Sequence, residues 1–302
     1  MPEESCERKM AFNYERAFSR NIGWATIEEQ QLLRGKKVAI AGMGGVGGHH
    51  AVNLARLGVG SFHLADFDEF EVHNMNRQSG CDMSTLGRRK LSVMSDRVLA
   101  INPEAEISAF PEGVNAKNIE AFLKDVDIYV DGLDAFVLDV RRAVFQGCHE
   151  RGIPAITVAP VGMGAALMNF MPKKMSFEKY FGFDDSQTDV QRIFRFICGM
   201  TPSFIHMKSL VVRQRFDLSN KSAPSTSMGC YLAAGVAGTE VLKILLNRGP
   251  VICAPRGLHF DSYSYCTRRT WMPFGGSNPI FNLKVKLLEY LGQKGPASQK
   301  KA

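Results

Sequence analysis

An α/β fold with a Rossmann-like sheet, mainly parallel with antiparallel C-terminal strands and with helices on both faces, is predicted by three observations. Short apolar runs alternate with helical periodicity from Lys37 to Val158, a glycine cluster closes the first of those runs, and two strand-like runs stand near the end of the chain. The first run is Lys37–Ala41, and "GMGGVGGHHAVNLARLG" leads from it into a helix that ends near Leu57. Ser61–Asp66 is the second strand. Lys90–Ile101 follows as a helix, Ala105–Phe110 as a strand, and the residues near Asn118–Leu123 as a short helix. Ile128–Asp131 is a strand, Phe136–Arg151 a helix, and Pro154–Val158 another strand. Residues 171–227 break this rhythm with aromatic, Met and mixed charged residues, read as short helices over the mouth of the site. From "APSTSMG" a helix runs through Leu245 and stops at "NRGP", because glycine and proline end helices. "GLHFDSY" and "CTRRTWM" finish the sheet in antiparallel fashion.

At 302 residues with 45% hydrophobic content, the chain can bury a substantial core. Its apolar runs are short and interrupted, short of the roughly 20 residues a bilayer span needs, so no membrane partner is expected. The N-terminus "MPEESCERKMAF" is charged rather than secretory, and the expected location is the cytoplasm. Seven cysteines are scattered with no C-x-x-C pair, which points away from a disulfide framework and a four-cysteine zinc site. A net charge of +7 suits an anionic partner, but the basic residues cluster only in the tail "GQKGPASQKKA", so tRNA is compatible without being indicated.

The glycine loop carries the first chemistry. Gly42 and Gly44 let the backbone turn tightly and approach a phosphate, Gly47 lets helix pack closely on strand, and the helix N-terminus offers N–H groups to an anion. Asp66, at the end of the second strand, is placed to take ribose hydroxyls. These features alone fit an NAD(P)-dependent oxidoreductase. However, Asp66, Asp68, Asn74, Arg77, Gln78 and Lys90 follow within 25 residues, a density of phosphate, ribose and cation chemistry that hydride transfer does not need. For Asp68, a turn or capping role competes with phosphate or metal chemistry.

Together "GMGGVG", "LADFDEFEVHNMNRQ", "GRRK" and "DGLD" resemble the ThiF/MoeB/HesA superfamily of ubiquitin-activating-type adenylyltransferases. The resemblance covers residues 10 to 170 and returns more weakly at "GCYLAAGVAGTEVLKILL" and "GLHFDSYSYCTRRTWM". It implies that ATP lies over Gly42, Gly44, Gly45 and Gly47, with Asp66, Asp68, Asn74 and Gln78 in the nucleotide site. A carboxylate would attack the α-phosphorus, releasing pyrophosphate and leaving an acyl-adenylate. Arg77 and Lys90 would contact the triphosphate, Asp134 would hold Mg²⁺, and Arg16 would cross a two-fold interface to the partner's ATP, making a homodimer. On this reading residues 1–170 hold an N-terminal helix and the ATP-binding core, 171–227 a crossover or substrate-specific insertion, and 228–302 the closing helix and strands of the same domain.

Departures from the pattern are Ala135, where asparagine is common after the aspartate, His49 and His50, where small residues are usual, and the missing C-x-x-C zinc motifs. His49 and His50 read as packing or pocket-lining residues. Cys198 and Cys230 flank the insertion as the candidates for a thiol that accepts the acyl group, with an inert buried cysteine the favoured reading for each. The acceptor is open among the C-terminus of a ubiquitin-like or sulfur-carrier protein, a peptide, and a carboxylate on modified tRNA, as in threonylcarbamoyladenosine dehydratases. A family member that binds nucleotide without turnover is the remaining alternative.

Overall fold

A computed structural model describes residues 11–212, 215 and 223–293. Its centre is one eight-stranded sheet: β1 (Lys37–Ala41), β2 (Ser61–Ala65), β3 (Glu106–Phe110), β4 (Ile128–Asp131), β5 (Ala155–Val161), β6 (Gly164–Phe170), β7 (Arg256–Asp261) and β8 (Cys266–Trp271), in the order β3-β2-β1-β4-β5-β6-β7-β8. The five strands from β3 to β5 are parallel, and β6, β7 and β8 each run antiparallel to the strand before. β1 and β4 lie side by side although two further strands separate them in sequence, so the loops after β1 and β4 open a crevice at the carboxyl edge.

Two apolar layers cover the sheet. On one face α3 (Gly47–Arg56), α4 (Lys90–Ile101) and α9 (Ser227–Leu245) bury Ala51, Leu54, Met94, Val98, Ala233 and Val241 against Val38, Ile40, Phe62 and Ile156. The other face is packed by α5 (Ile119–Phe122), α6 (Leu138–Arg151), α7 (Phe177–Phe181), α8 (Asp189–Met200) and α10 (Pro279–Gln293). α9 is long and apolar enough to span a bilayer, with mean hydropathy 1.3, contrary to the expectation that no segment would be. It packs along β5, β6 and α3.

The described part of residues 171–227 is arranged differently from the lid expected of it, and 213–214 and 216–222 lie outside the described residues. α7 and α8 are a layer against α6, α10 and β6, and Phe177, Tyr180, Phe181, Phe194 and Phe196 are buried in its aromatic core. β6 and α10 were not anticipated. "GAALMNF" directly follows the Gly162–Met163 turn, an apolar hairpin partner for β5, and Asn278 caps α10 by accepting from the Ile280 and Phe281 N–H groups.

Ahead of the sheet, α1 (Tyr14–Ala17) and α2 (Ile27–Arg34) are pinned by the buried Tyr14, whose hydroxyl donates to Gly58 O at 2.6 Å. Gly58 precedes β2, so this anchor lies at the amino edge, opposite the crevice.

Candidate nucleotide-activation site

Three glycines close the floor of the crevice. Gly42 takes φ +88° as β1 ends, and a Cβ there would lie 2.4 Å from Gly132 O. On Gly47 a Cβ would fall 1.7 Å from Gly42 O, and on Gly132 it would fall 2.7 Å from Gly47 Cα. The fold itself therefore demands glycine at 42, 47 and 132. Gly44 and Gly45 differ: a Cβ on Gly44 would meet only the Gln78 amide at 3.6 Å, and one on Gly45 would meet Cys230 Sγ at 3.3 Å. At Gly44 that is ordinary van der Waals contact, so protein packing by itself does not demand glycine there. No side chain caps the N-terminus of α3, so its positive dipole end faces the loop uncapped.

Asp66 ties this loop to the end of β2. Its Oδ2 accepts from Met43 N at 2.6 Å and its Oδ1 from Asp68 N at 2.7 Å. Burial raises its pKa above the ordinary carboxylate value, against the lowering effect of those two N–H groups and of Lys90. Lys90, the first residue of α4, is buried, and its Nζ lies 3.0 Å from Asp68 Oδ2. Asp68 thus faces a cation, in addition to its turn-forming backbone bonds.

Asn74 and Gln78 are buried in the connection between β2 and α4. Asn74 Oδ1 accepts from Glu71 N at 3.0 Å, while Gln78 Oε1, on the side chain facing Gly44, is buried without a partner. Arg77 runs beside Gly45, and its Nη1 donates to His73 O (3.1 Å) and Asn76 Oδ1 (2.9 Å). Asp134 is exposed on the loop after β4, with Oδ1 accepting from Phe136 N at 3.0 Å and Oδ2 without a donor among the described residues. No group of three His, Cys, Asp or Glu residues that could hold a metal occurs among the described residues. The donor set still fits Mg²⁺, which keeps several waters and takes one or two carboxylates plus substrate phosphates.

Beneath Asp134 is a support that the sequence reading missed. Asp131 and Arg141, both buried, pair through Oδ2 and Nε at 2.8 Å. Asp131 Oδ1 also accepts from Leu133 N and the Tyr129 hydroxyl, each at 3.2 Å, and Arg141 Nη2 donates to Leu133 O at 2.5 Å. The Arg141 guanidinium stacks on Phe196 of α8 at 4.6 Å. A charge ending the apolar run "IYVD" was the available signal, since a buried carboxylate needs a cation; that Arg141 supplies it, ten residues on, is a matter of how α6 docks.

Arg16 is not brought to this crevice. It lies in α1, two residues from the Tyr14 anchor at the amino edge, and its side chain is exposed without a partner among the described residues. His49 and His50 are buried in α3. His49 Nδ1 lies 2.5 Å from Gly45 O, and burial pushes His50 down to about 3. Neither thiol candidate is presented to an acyl group: Cys198 and Cys230 are both wholly buried. Desolvation pushes Cys198 up to about 12 and raises Cys230, Arg77 partly opposing it there.

The model of the ThiF family matches residues 18–273. The chain belongs to the ThiF family. Among similar proteins, tRNA threonylcarbamoyladenosine dehydratase of Bacillus subtilis (strain 168) is 35% identical over 150 residues, covering 49% of this ThiF-family chain and 57% of that protein. Sulfur carrier protein ThiS adenylyltransferase of Escherichia coli (strain K12) is 30% identical over 146 residues, covering 48% of this chain and 57% of that one. The matched stretches therefore span little more than half of these relatives. The structure of E. coli MccB solved with ATP aligns over 91% of this chain and 75% of that one, with a TM-score of 0.64 and 20% identity, a likeness of fold.

Proposed function

We propose that this protein activates a carboxylate with ATP, releasing pyrophosphate and leaving an acyl-adenylate, and that the acceptor is the C-terminus of a polypeptide of the ubiquitin-like or sulfur-carrier kind. The observation that carries the reading is the placement of Lys90, Arg77 and Asp66 around the glycine loop at one carboxyl-edge crevice, in a chain of the ThiF family. A dehydrogenase would leave Arg77, Lys90 and Asp134 without work.

Asp66 accepts the ribose hydroxyls while holding the glycine loop, and the α3 N-terminus and Arg77 face the phosphates. The attacking carboxylate is already a nucleophile, so no protein nucleophile is needed, in keeping with the burial of Cys198 and Cys230. As its oxygen bonds to the α-phosphorus, the bond to the leaving pyrophosphate breaks and negative charge grows on the phosphate oxygens. Fixed cations at Lys90 and Arg77, in a site from which water is displaced, stabilise that charge more than the ground state. Asp134 would hold Mg²⁺, which when bound supplies charge neutralisation on the phosphates. Arg16, exposed and far from its own crevice, would serve the partner's site in a homodimer.

The tRNA dehydratase relatives favour a second reading, in which the carboxylate is on a modified tRNA. Matches of about half the chain to both kinds of relative do not choose between them. ATP–pyrophosphate exchange with a panel of polypeptide tails and tRNA tests both. Exchange dependent on a polypeptide carboxylate is expected; exchange with tRNA alone would transfer the conclusion to the second reading, and tight NAD binding without ATP binding would refute both.

A further inference from the structure

Away from the glycine loop, the carboxyl edge holds a second polar cluster that the adenylation chemistry does not use. Because β6 runs antiparallel to β5 and β7 antiparallel to β6, β7 points the same way as β1 and β4, and its last residue, Asp261, ends at the same carboxyl edge of the sheet. His259 and Asp261 share one face of β7 and are wholly buried, at 0% exposure. The turn Ile205–Lys208 lays His206 against them, with its ring centroid 5.4 Å from that of His259. Ser203 Oγ lies 3.3 Å from His259 Nδ1, and Asp261 Oδ2 accepts from Ser264 N at 3.1 Å and from the Ser264 hydroxyl. Three buried atoms remain without a partner among the described residues: His259 Nε2, His206 Nδ1 and Asp261 Oδ1.

Buried polar atoms are nearly always hydrogen-bonded, so three orphans in one nook call for a guest. Burial pushes both histidines down to about 4, so the imidazoles are neutral near pH 7. In the tautomers that carry the proton on His259 Nδ1, toward Ser203, and on His206 Nε2, both orphan nitrogens accept, and with the Asp261 oxygen they offer an acceptor-rich seat to a guest that donates hydrogen bonds. Ser203 is exposed and His206 half-buried, so the cluster borders solvent on the side of these two residues.

Its position sets the reach. β7 is three strands from β4 and four from β1, or about 14 to 19 Å at roughly 4.8 Å per strand, a span covered by about four to six extended residues. We propose that His206, His259 and Asp261 read a hydrogen-bond-donating side chain, an ammonium, amide or hydroxyl, about four to six residues before the terminal carboxylate of the acceptor polypeptide. This rests on the polypeptide acceptor of the proposed function. The donor replaces whatever water satisfies the orphans in the free protein, and an apolar side chain at that position would leave them unpaired.

The test is pyrophosphate exchange with pools of free-carboxyl peptides randomised at one position at a time. Donor side chains are expected to outperform alanine and leucine by about 10- to 100-fold in kcat/KM at one position in that window. Asp261→Asn and the less buried His206→Gln should each shrink that preference to about threefold or less, while ATP affinity by calorimetry stays at the wild-type value and reports an intact fold. Exchange without a positional preference, or a preference that survives both substitutions, would overturn the nook alone. Inactivity of every pool with the wild-type protein would overturn the polypeptide acceptor, and the nook with it.

Discussion

Lys90→Ala separates chemistry from binding. The Lys90 side chain is only 9% exposed and its Nζ already pairs with Asp68 Oδ2 at 3.0 Å, so part of its charge is engaged before nucleotide arrives. Asp68 is half exposed, at 52%, and loses little when unpaired: an ion pair with so wet a partner contributes about 1 kcal/mol or less to stability, a shift of a few degrees in Tm. The transition state is different, because charge moves onto the departing pyrophosphate beside a cation that water screens poorly. Removing one such electrostatic stabiliser costs about 10²- to 10³-fold in rate, or roughly 2.7–4 kcal/mol. In pyrophosphate exchange, kcat should therefore fall by that factor with a smaller change in the KM for ATP, in a protein that melts within a few degrees of wild type. A variant with normal kcat and a raised KM would refute the argument, since it would make Lys90 a ground-state contact.

Asp66→Ala should show the opposite split, a raised KM for ATP and a kcat nearer wild type, because ribose bonds are equal in the ground and transition states. Gly44→Ala should leave the melting temperature nearly unchanged and weaken ATP binding at least tenfold by calorimetry, whereas Gly47→Ala, whose Cβ would strike Gly42 O, should lose about 1–3 kcal/mol of stability or more in urea melts. Arg141→Met strands the buried Asp131 carboxylate and should cost about 3–5 kcal/mol in the same melts, with much of that recovered in the Asp131→Asn, Arg141→Met double variant. Mixing Arg16→Ala chains with Asp134→Ala chains should restore about a quarter of wild-type exchange activity, since half of the randomly formed dimers carry one intact site; no rescue in proven mixed dimers would end the shared-site idea. Acid should destabilise the fold through His50: folded near 3 against an ordinary 6.5, it leaves the unfolded state binding more protons between those values. Stability therefore rises with pH across that window, by up to about 5 kcal/mol, and His50→Met should flatten the slope.

The local pattern was sufficient for much of this molecule. β1, α4 and β4 fall where the apolar runs and helical periodicity put them, because β1 and β4 are buried on both faces, where an unbroken run of three or four apolar residues is what a parallel strand needs. The glycine loop, Asp66 and Lys90 were legible for the same reason: a turn without room for Cβ atoms and a dense run of polar residues after β2 are properties of contiguous sequence. β6 was missed because an apolar run after a glycine turn has no period that separates it from its neighbours, and α7 and α8 took a place on the sheet face because their aromatic residues found α6 and α10 there.

Only the tertiary structure decided which distant residues meet. Strand order set β1 beside β4 and so brought Gly132 under Gly42 and Gly47, and α6 docking placed Arg141 against Asp131 ten residues earlier. The antiparallel return through β6 carried His259 and Asp261 to the carboxyl edge of the sheet, beside a His206 that lies 53 and 55 residues away in sequence. Arg16, which the sequence assigned to the partner's ATP site, lies at the edge opposite its own crevice, beside the Tyr14 anchor. Sequence records periodicity and local chemistry, which act over a few residues. Juxtaposition across the chain comes from the order in which strands pair and helices bury their apolar faces, a property of the whole core.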